Sequence, residues 1–447
     1  MTHTTLLVDG RVYAPGMPEA TAMAVDGDTI AWLGDDATGR ARYPAAEVIR
    51  LDGAFVAPAF VDAHVHATAT GLLSTGLDLT GTTSLSDCLR AVSAYAATHP
   101  GEVIIGHGWQ ETAWPQRRPP TRAELDEATG GSPAYVTRID VHSALVSSSM
   151  LALAPKAKGA NGFSVDGPIT ADAHHLVRQV AMRSLTPTAR RRAQLAFLRD
   201  AAAHGIACVH ECAGPDTSGE HDLTDLLELS TVDDKPVSST VDSHVSTVDS
   251  FPEVVAYWGE LGAVDTARRL GAHGVGGDLF VDGALGSRTA ALRAPYADAP
   301  AGSPTTGNLY LDATAIAEHV IVCTESGVQA GFHAIGDAAV AEVVAGFERA
   351  AERVGAAAIA ERVHRVEHLE VIDREQAKTL AALGVCASTQ PMFDELWGGE
   401  HGMYAQRLGE DRGVRLNPFA MLAGAGMTLA FGSDAPVTPV GPWAAVR

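Results

Sequence analysis

The chain has 447 residues, with 32 Lys and Arg against 54 Asp and Glu, a formal charge of −22, and 46% hydrophobic residues. Such an acidic excess repels polyanions and argues against nucleic acid or an anionic membrane as partner, while the apolar share is ample for a packed core. No apolar run approaches the roughly 20 residues of a membrane span, and the amino terminus carries no signal-peptide pattern. Five scattered cysteines (Cys88, Cys208, Cys212, Cys323 and Cys386) read as reduced thiols of a cytoplasmic protein rather than a disulfide framework. The expected partner is a small-molecule substrate; oligomeric state is not legible.

Residues 4–57 read as short strands and turns, the first part of a small β-sandwich. Asp-Gly steps at Asp9, Asp26 and Asp52 mark its turns, because Gly tolerates a positive φ. From residue 58 the texture changes to short apolar strands alternating with Ala-rich helical stretches. Candidate strands are 59–66, 103–107, 134–138, 206–211, 278–282, 328–333, 363–368, 385–389 and 428–433. Helical periodicity marks 84–97, 188–204, 313–326, 337–354 and 373–383. This alternation over 58–447 predicts an α/β fold, a (β/α)8 TIM-like barrel. Nine candidates for eight places leave at least one misassigned or inside an insert. A Thr-Val-Asp tripeptide recurs at Thr231, Thr240 and Thr247 and reads as a polar surface segment without chemistry.

The chemistry concentrates at strand ends. In Ala59-Phe-Val-Asp-Ala-His-Val-His66, alternation puts His64 and His66 on one face, roughly 7 Å apart along the backbone. A pair of ordinary histidines is the plain alternative. Three further runs end in metal-capable residues: Gln329-Ala-Gly-Phe-His333, Arg362-Val-His-Arg-Val-Glu-His368 and Thr428-Leu-Ala-Phe-Gly-Ser-Asp434. In a barrel all carboxyl-terminal strand ends face one site, so four imidazoles and one carboxylate converge there. Such a set suits one Zn²⁺, with Fe²⁺ or Mn²⁺ as alternatives. Asp434 is placed to act as general base on a metal-activated water.

These motifs resemble the metal-dependent amidohydrolase superfamily. Gly106-His-Gly-Trp109, Asp140-Val-His-Ser143, Asp282-Gly-Ala-Leu-Gly-Ser-Arg-Thr-Ala290, His333-Ala-Ile-Gly-Asp337, Arg365-Val-Glu-His368 and Gly432-Ser-Asp434 are similar to its family 3 branch, which includes N-substituted formamide deformylase-like proteins. The resemblance implies a (β/α)8 barrel beside a small β-sandwich, with His64, His66, His333, His368 and Asp434 as metal ligands. Many relatives carry a metal-bridging lysine where this chain has Asp278. The four lysines (Lys156, Lys158, Lys235 and Lys378) end no strand, so a bridging carboxy-lysine is not expected. In an extended strand Asp278 and Asp282 stand roughly 13 Å apart. Both cannot reach one metal; Asp278 and Asp282 are candidates for a ligand or a supporting carboxylate, the supporting role is favoured for Asp278, and a single ion is expected.

Around this set, His142 and Arg138 are candidates for a substrate carbonyl or carboxylate, with a surface ion pair the alternative for Arg138. His142, with His333, is a candidate for steadying an oxyanion. Trp109 and Trp114 are candidates for an apolar wall or for core packing. Arg288 could clamp an anion. In Cys208-Val-His-Glu-Cys212 a buried strand is favoured over a metal motif, with Glu211 a further candidate for the site. The expected activity is hydrolysis of a non-peptide carbon–nitrogen bond. An ester, lactone or phosphoester hydrolase, or a non-catalytic metal- or ligand-binding descendant, stays open. Only 13 residues follow Asp434, so the closing helix and the sandwich-completing strands are expected to be missing from this chain, leaving the strands of 4–57 with exposed edges.

Overall fold

In the computed structural model the described residues are 4–231, 251–299 and 306–447. The Thr-Val-Asp repeat from residue 232 onward lies outside them. The chain divides into two compact units, Met1–Phe60 and Val61–Arg447.

In the smaller unit, four strands form a sheet in the order Thr29–Gly34, Ala22–Asp26, Thr4–Val8, Glu47–Arg50. Alternation drives Leu6, Val8, Ala22 and Ala24 into its core, against Trp32 and Tyr43. Gly27, at φ +63°, turns the chain between Ala22–Asp26 and Thr29–Gly34, as the Asp-Gly step requires. The strand Glu47–Arg50 is exposed, with Val48 and Ile49 open to solvent. A short helix, Asp36–Arg42, adds to the expected strands; the Asp35 side chain caps it by accepting the Thr38 N–H at 3.0 Å.

In the larger unit eight strands are hydrogen-bonded neighbours in chain order: Phe60–Val65, Ile206–Ala213, Glu253–Trp258, Gly274–Val275, Gln329–Ala334, Arg365–His368, Cys386–Thr389 and Thr428–Phe431. The sheet is parallel and nearly closed, with a parallel bridge from Val65 to Ala435 joining its ends. Outward-facing strand residues meet the helices that follow. Phe332 packs edge-on against Phe347 of the helix Asp337–Val354, with ring centroids 6.0 Å apart and both rings fully buried. Burying each such ring contributes about 1.5–3 kcal/mol. That helix shows Val340, Val343, Phe347 and Ala350 to the core, the three-to-four spacing of one face, and ends at Gly355.

Three of the expected barrel strands are placed differently. Ile104–Trp109 and Ala134–Arg138 belong to a separate five-stranded sheet with Leu77–Asp78, Ser143–Val146 and Ile169–Thr170. Residues 278–282 form no strand; the barrel strand there is Gly274–Val275, and Glu253–Trp258 fills the remaining place. A short apolar run carries the same signal in either sheet, and only its pairing partners decide between them.

Candidate metal centre

The carboxyl ends of the barrel strands gather six side chains. His64 Nε2 lies 3.5 Å from Asp278 Oδ1 and 3.4 Å from Asp434 Oδ1. His66 Nε2 lies 3.1 Å from Asp278 Oδ2 and 3.2 Å from Asp434 Oδ1. His333 Nδ1 is 3.4 Å from Asp278 Oδ1. Ligand atoms of His368 close two more groups, one with His64 and Asp434 and one with Asp278 and His333, each within 4.8 Å.

The backbone bends to make this convergence. Alternation would turn His368 away from the barrel interior, where Arg365 and Glu367 point; instead His368 takes φ +72°, and Asp434 takes φ +53°. Left-handed backbone is costly for residues other than glycine, and such strain gathers at functional sites.

Three of the four imidazoles are oriented by the nitrogen they turn away from the centre. His64 Nδ1 is 2.9 Å from Glu367 Oε2, His368 Nδ1 is 2.8 Å from Gln390 Oε1, and His333 Nε2 is 3.2 Å from the Gly283 carbonyl. With a proton on each of these nitrogens, a lone pair on the other faces the cluster, the arrangement of metal-ligating histidines. His64 Nε2, His333 Nδ1 and Asp278 Oδ1 are buried with no hydrogen-bond partner. Orphaned polar atoms gathered around Asp278 are what a cation would satisfy. Burial opposes protonation of His66, but Asp278 and Asp434 outweigh it and push its pKa up to about 10, so the pocket demands positive charge. The residues therefore fit a divalent metal. Among the described residues lysine takes no part: Lys156 and Lys158 lie in the turn Pro155–Gly159 and Lys378 in the helix Arg374–Ala382, while Lys235 is outside them.

Asp278 corrects the sequence expectation. The strand ends at Val275, and Gly276 and Gly277 redirect the chain so that the Asp278 carboxylate faces the imidazoles. A Cβ on Gly276 would stand 2.3 Å from Gly331 Cα, so only glycine allows this approach. Asp282, by contrast, accepts the backbone N–H groups of Ala291, Ile335 and Gly336 at 2.8–2.9 Å and steadies the loop after His333.

The other candidates divide. His142 stands beside the centre, its ring 5.1 Å from that of His333; burial, then the neighbouring His333 and Arg178, lower its pKa well below the ordinary range. Glu211 accepts the Ala67 N–H at 2.7 Å, and burial pushes its pKa up to about 7. Trp109 and Trp114 are instead core residues, 1% and 2% exposed, and the Trp109 indole N–H donates to the Val136 carbonyl at 3.0 Å. Arg138 is neither free nor superficial: it is buried between Glu111 and Asp140, at 2.9 and 2.8 Å. Arg288 is paired with Asp298 at 2.8 Å rather than held for an anion. Cys212 lies on the buried barrel strand Ile206–Ala213. Two orienting residues escaped the sequence reading, Glu367 and Gln390; only the position of Glu367 directly before His368 hinted at it.

A cavity opens from the centre, lined by His66, Asp278 and His142 and, among its apolar walls, by Leu72, Ile105 and Phe280. A smaller pocket reaches His333, His368 and Asp434, and His142 borders both.

A parallel barrel with this imidazole and carboxylate cluster at its strand ends defines a metal-dependent hydrolase. The profile of the amidohydrolase family matches residues 47–447, and the chain belongs to that family. It is 27% identical to YtcJ of Bacillus subtilis (strain 168) over 421 residues, 89% of this chain and 74% of that protein. It is similar to the crystal structure of an uncharacterized metal-dependent hydrolase from Pyrococcus furiosus, with a TM-score of 0.70 and 26% identity over 99% of this chain and 88% of that one. Likeness to the N-substituted formamide deformylase of Arthrobacter pascens is local: 29% identity over 138 residues, 30% of this chain and 26% of that protein.

Proposed function

We propose that this hydrolase cleaves a non-peptide carbon–nitrogen bond of a small molecule, an amide or N-formyl amine, and that its cation is a single Zn²⁺. The observation that carries this reading is the buried, unpartnered set of His64 Nε2, His333 Nδ1 and Asp278 Oδ1 beside Asp434. Two buried carboxylates, Asp278 and Asp434, balance the charge of one dication, and neutral imidazoles complete its shell. His64, His66, Asp278 and Asp434 would hold it, with His333 and His368 across Asp278. A metal held there polarises a carbonyl and lowers the pKa of water. Asp434 takes the proton of the attacking water and delivers it to the leaving nitrogen. His142, neutral and bordering both pockets, can donate a hydrogen bond to the developing oxyanion, whereas the N–H of His333 is turned to the Gly283 carbonyl.

The test is Asp434→Asn. Turnover of amides and N-formyl amines should fall by at least about a hundredfold while the fold persists. Retained activity would refute the role of Asp434.

A further inference from the structure

The wall of the larger cavity carries an arginine with no ion-pair partner among the described residues. Arg178 lies on the helix Ala171–Arg183, lines the cavity, and is only 8% exposed. Its hydrogen bonds all go to neutral oxygens: Nε to the Tyr135 hydroxyl at 3.2 Å, Nη1 to the Asp216 carbonyl at 3.4 Å, and Nη2 to the Val141 carbonyl. Among the described residues no carboxylate forms an ion pair with it. Other buried arginines are paired: Arg138 with Glu111 and Asp140, Arg365 with Glu367, Arg407 with Asp298. A guanidinium has five N–H donors and only three are used here. Burying such a cation without a partner is costly.

Next to it, His174 is fully buried; its Nε2 meets the Tyr135 hydroxyl at 2.8 Å, and its Nδ1 has no partner. The cavity lining includes apolar side chains, Leu72, Ile105 and Phe280 among them. Glu211 and Asp222 also border the cavity and disfavour a group of higher negative charge, such as a phosphate dianion.

We propose that Arg178 receives a carboxylate of the substrate, so that the molecule cleaved is an apolar amide or N-formyl amine bearing a monoanionic carboxylate. The proposal deepens the hydrolase reading above and rests on it. A carboxylate would take the two free N–H donors in a forked pair and supply the missing counter-charge. The apolar part of the substrate would lie against Leu72, Ile105 and Phe280.

The test uses two probes of one shape, 4-phenylbutyrate and 4-phenylbutyramide, in calorimetric titrations of the full chain, zinc-loaded and chelator-stripped. The stripped wild type should bind the carboxylate about tenfold more tightly than the amide. Arg178→Gln should lose that preference while its affinity for the amide stays within about twofold. Met182→Glu, one helical turn on at the cavity wall, offers Arg178 an internal partner and should lose the preference with the arginine still in place. Should Arg178→Gln fail to fold, Met182→Glu alone decides. A preference that survives these substitutions, or that exists only with zinc bound, overturns the proposal, as does equal weakening of both probes. Turnover by the zinc-loaded chain is scored separately. Binding preference without turnover counts against the hydrolase reading, and turnover without preference counts against Arg178.

Discussion

Nδ1 of His64 and Oε2 of Glu367 lie 2.9 Å apart, both side chains fully buried, and this contact aims the other nitrogen of His64 at the metal centre. Glu367 is itself gripped by Arg365, whose Nε and Nη2 reach it at 2.5 and 2.8 Å. Burial alone would favour its neutral form, but Arg365 and His64 hold the carboxyl well below the usual carboxylate range. An ionised Glu367 fixes the proton of His64 on Nδ1 and leaves Nε2 as a lone-pair donor.

Glu367→Gln should therefore weaken zinc binding by roughly 10–100-fold, measured by competition with a chelating dye. It should also lower stability by several kcal/mol, because Arg365 loses its buried partner. Unchanged zinc affinity in a folded variant would show that Glu367 has no part in orienting His64.

Asp278 bears on the number of ions. Protein produced without added metal should hold one divalent ion per chain by elemental analysis, and two tightly bound ions would contradict the single-ion account. In Asp278→Asn, the loss of one of two balancing carboxylates should reduce zinc affinity by at least about tenfold.

Asp222 ties stability to pH. Burial pushes its pKa from 3.8 up to about 6. The fold thus prefers the protonated acid, so this contribution is complete below about pH 4 and is lost as pH rises through about 6. Its Oδ2 has no partner, and neither does the nearby Ser218 Oγ, so an amide can stand in for the neutral acid. Asp222→Asn should gain on the order of 2 kcal/mol relative to wild type between pH 4 and pH 7, followed by urea unfolding. A stability difference that is flat with pH would refute this assignment.

Much of the site was legible because strand geometry is simple. The period of two in Phe60–Val65 puts His64 and His66 on one face, and barrel topology brings the ends carrying His333, His368 and Asp434 to the same mouth. Asp278 was not legible, because its place depends on Gly276 and Gly277 bending the chain after a two-residue strand. The misplaced strands have a similar cause. Ile104–Trp109 and Glu253–Trp258 are both short apolar runs, and pairing partners far away in the chain decide which enters the barrel. Trp109, Arg138 and Arg288 are residue types that suit a binding site, yet Val136, Glu111, Asp140 and Asp298 satisfy them internally. Arg178 shows the reverse: its neighbours in Ala171–Arg183 mark only a helix, and its importance follows from partners it lacks.

Metal dependence of carbon–nitrogen cleavage is the most direct test. A panel of amides, N-formyl amines, lactones and aryl esters should be offered to the protein as purified, after chelator stripping, and after titration with zinc. Turnover of at least one amide or N-formyl amine should vanish on stripping and return in full at one equivalent of zinc. Turnover indifferent to metal removal, or confined to the esters and lactones, would contradict the account.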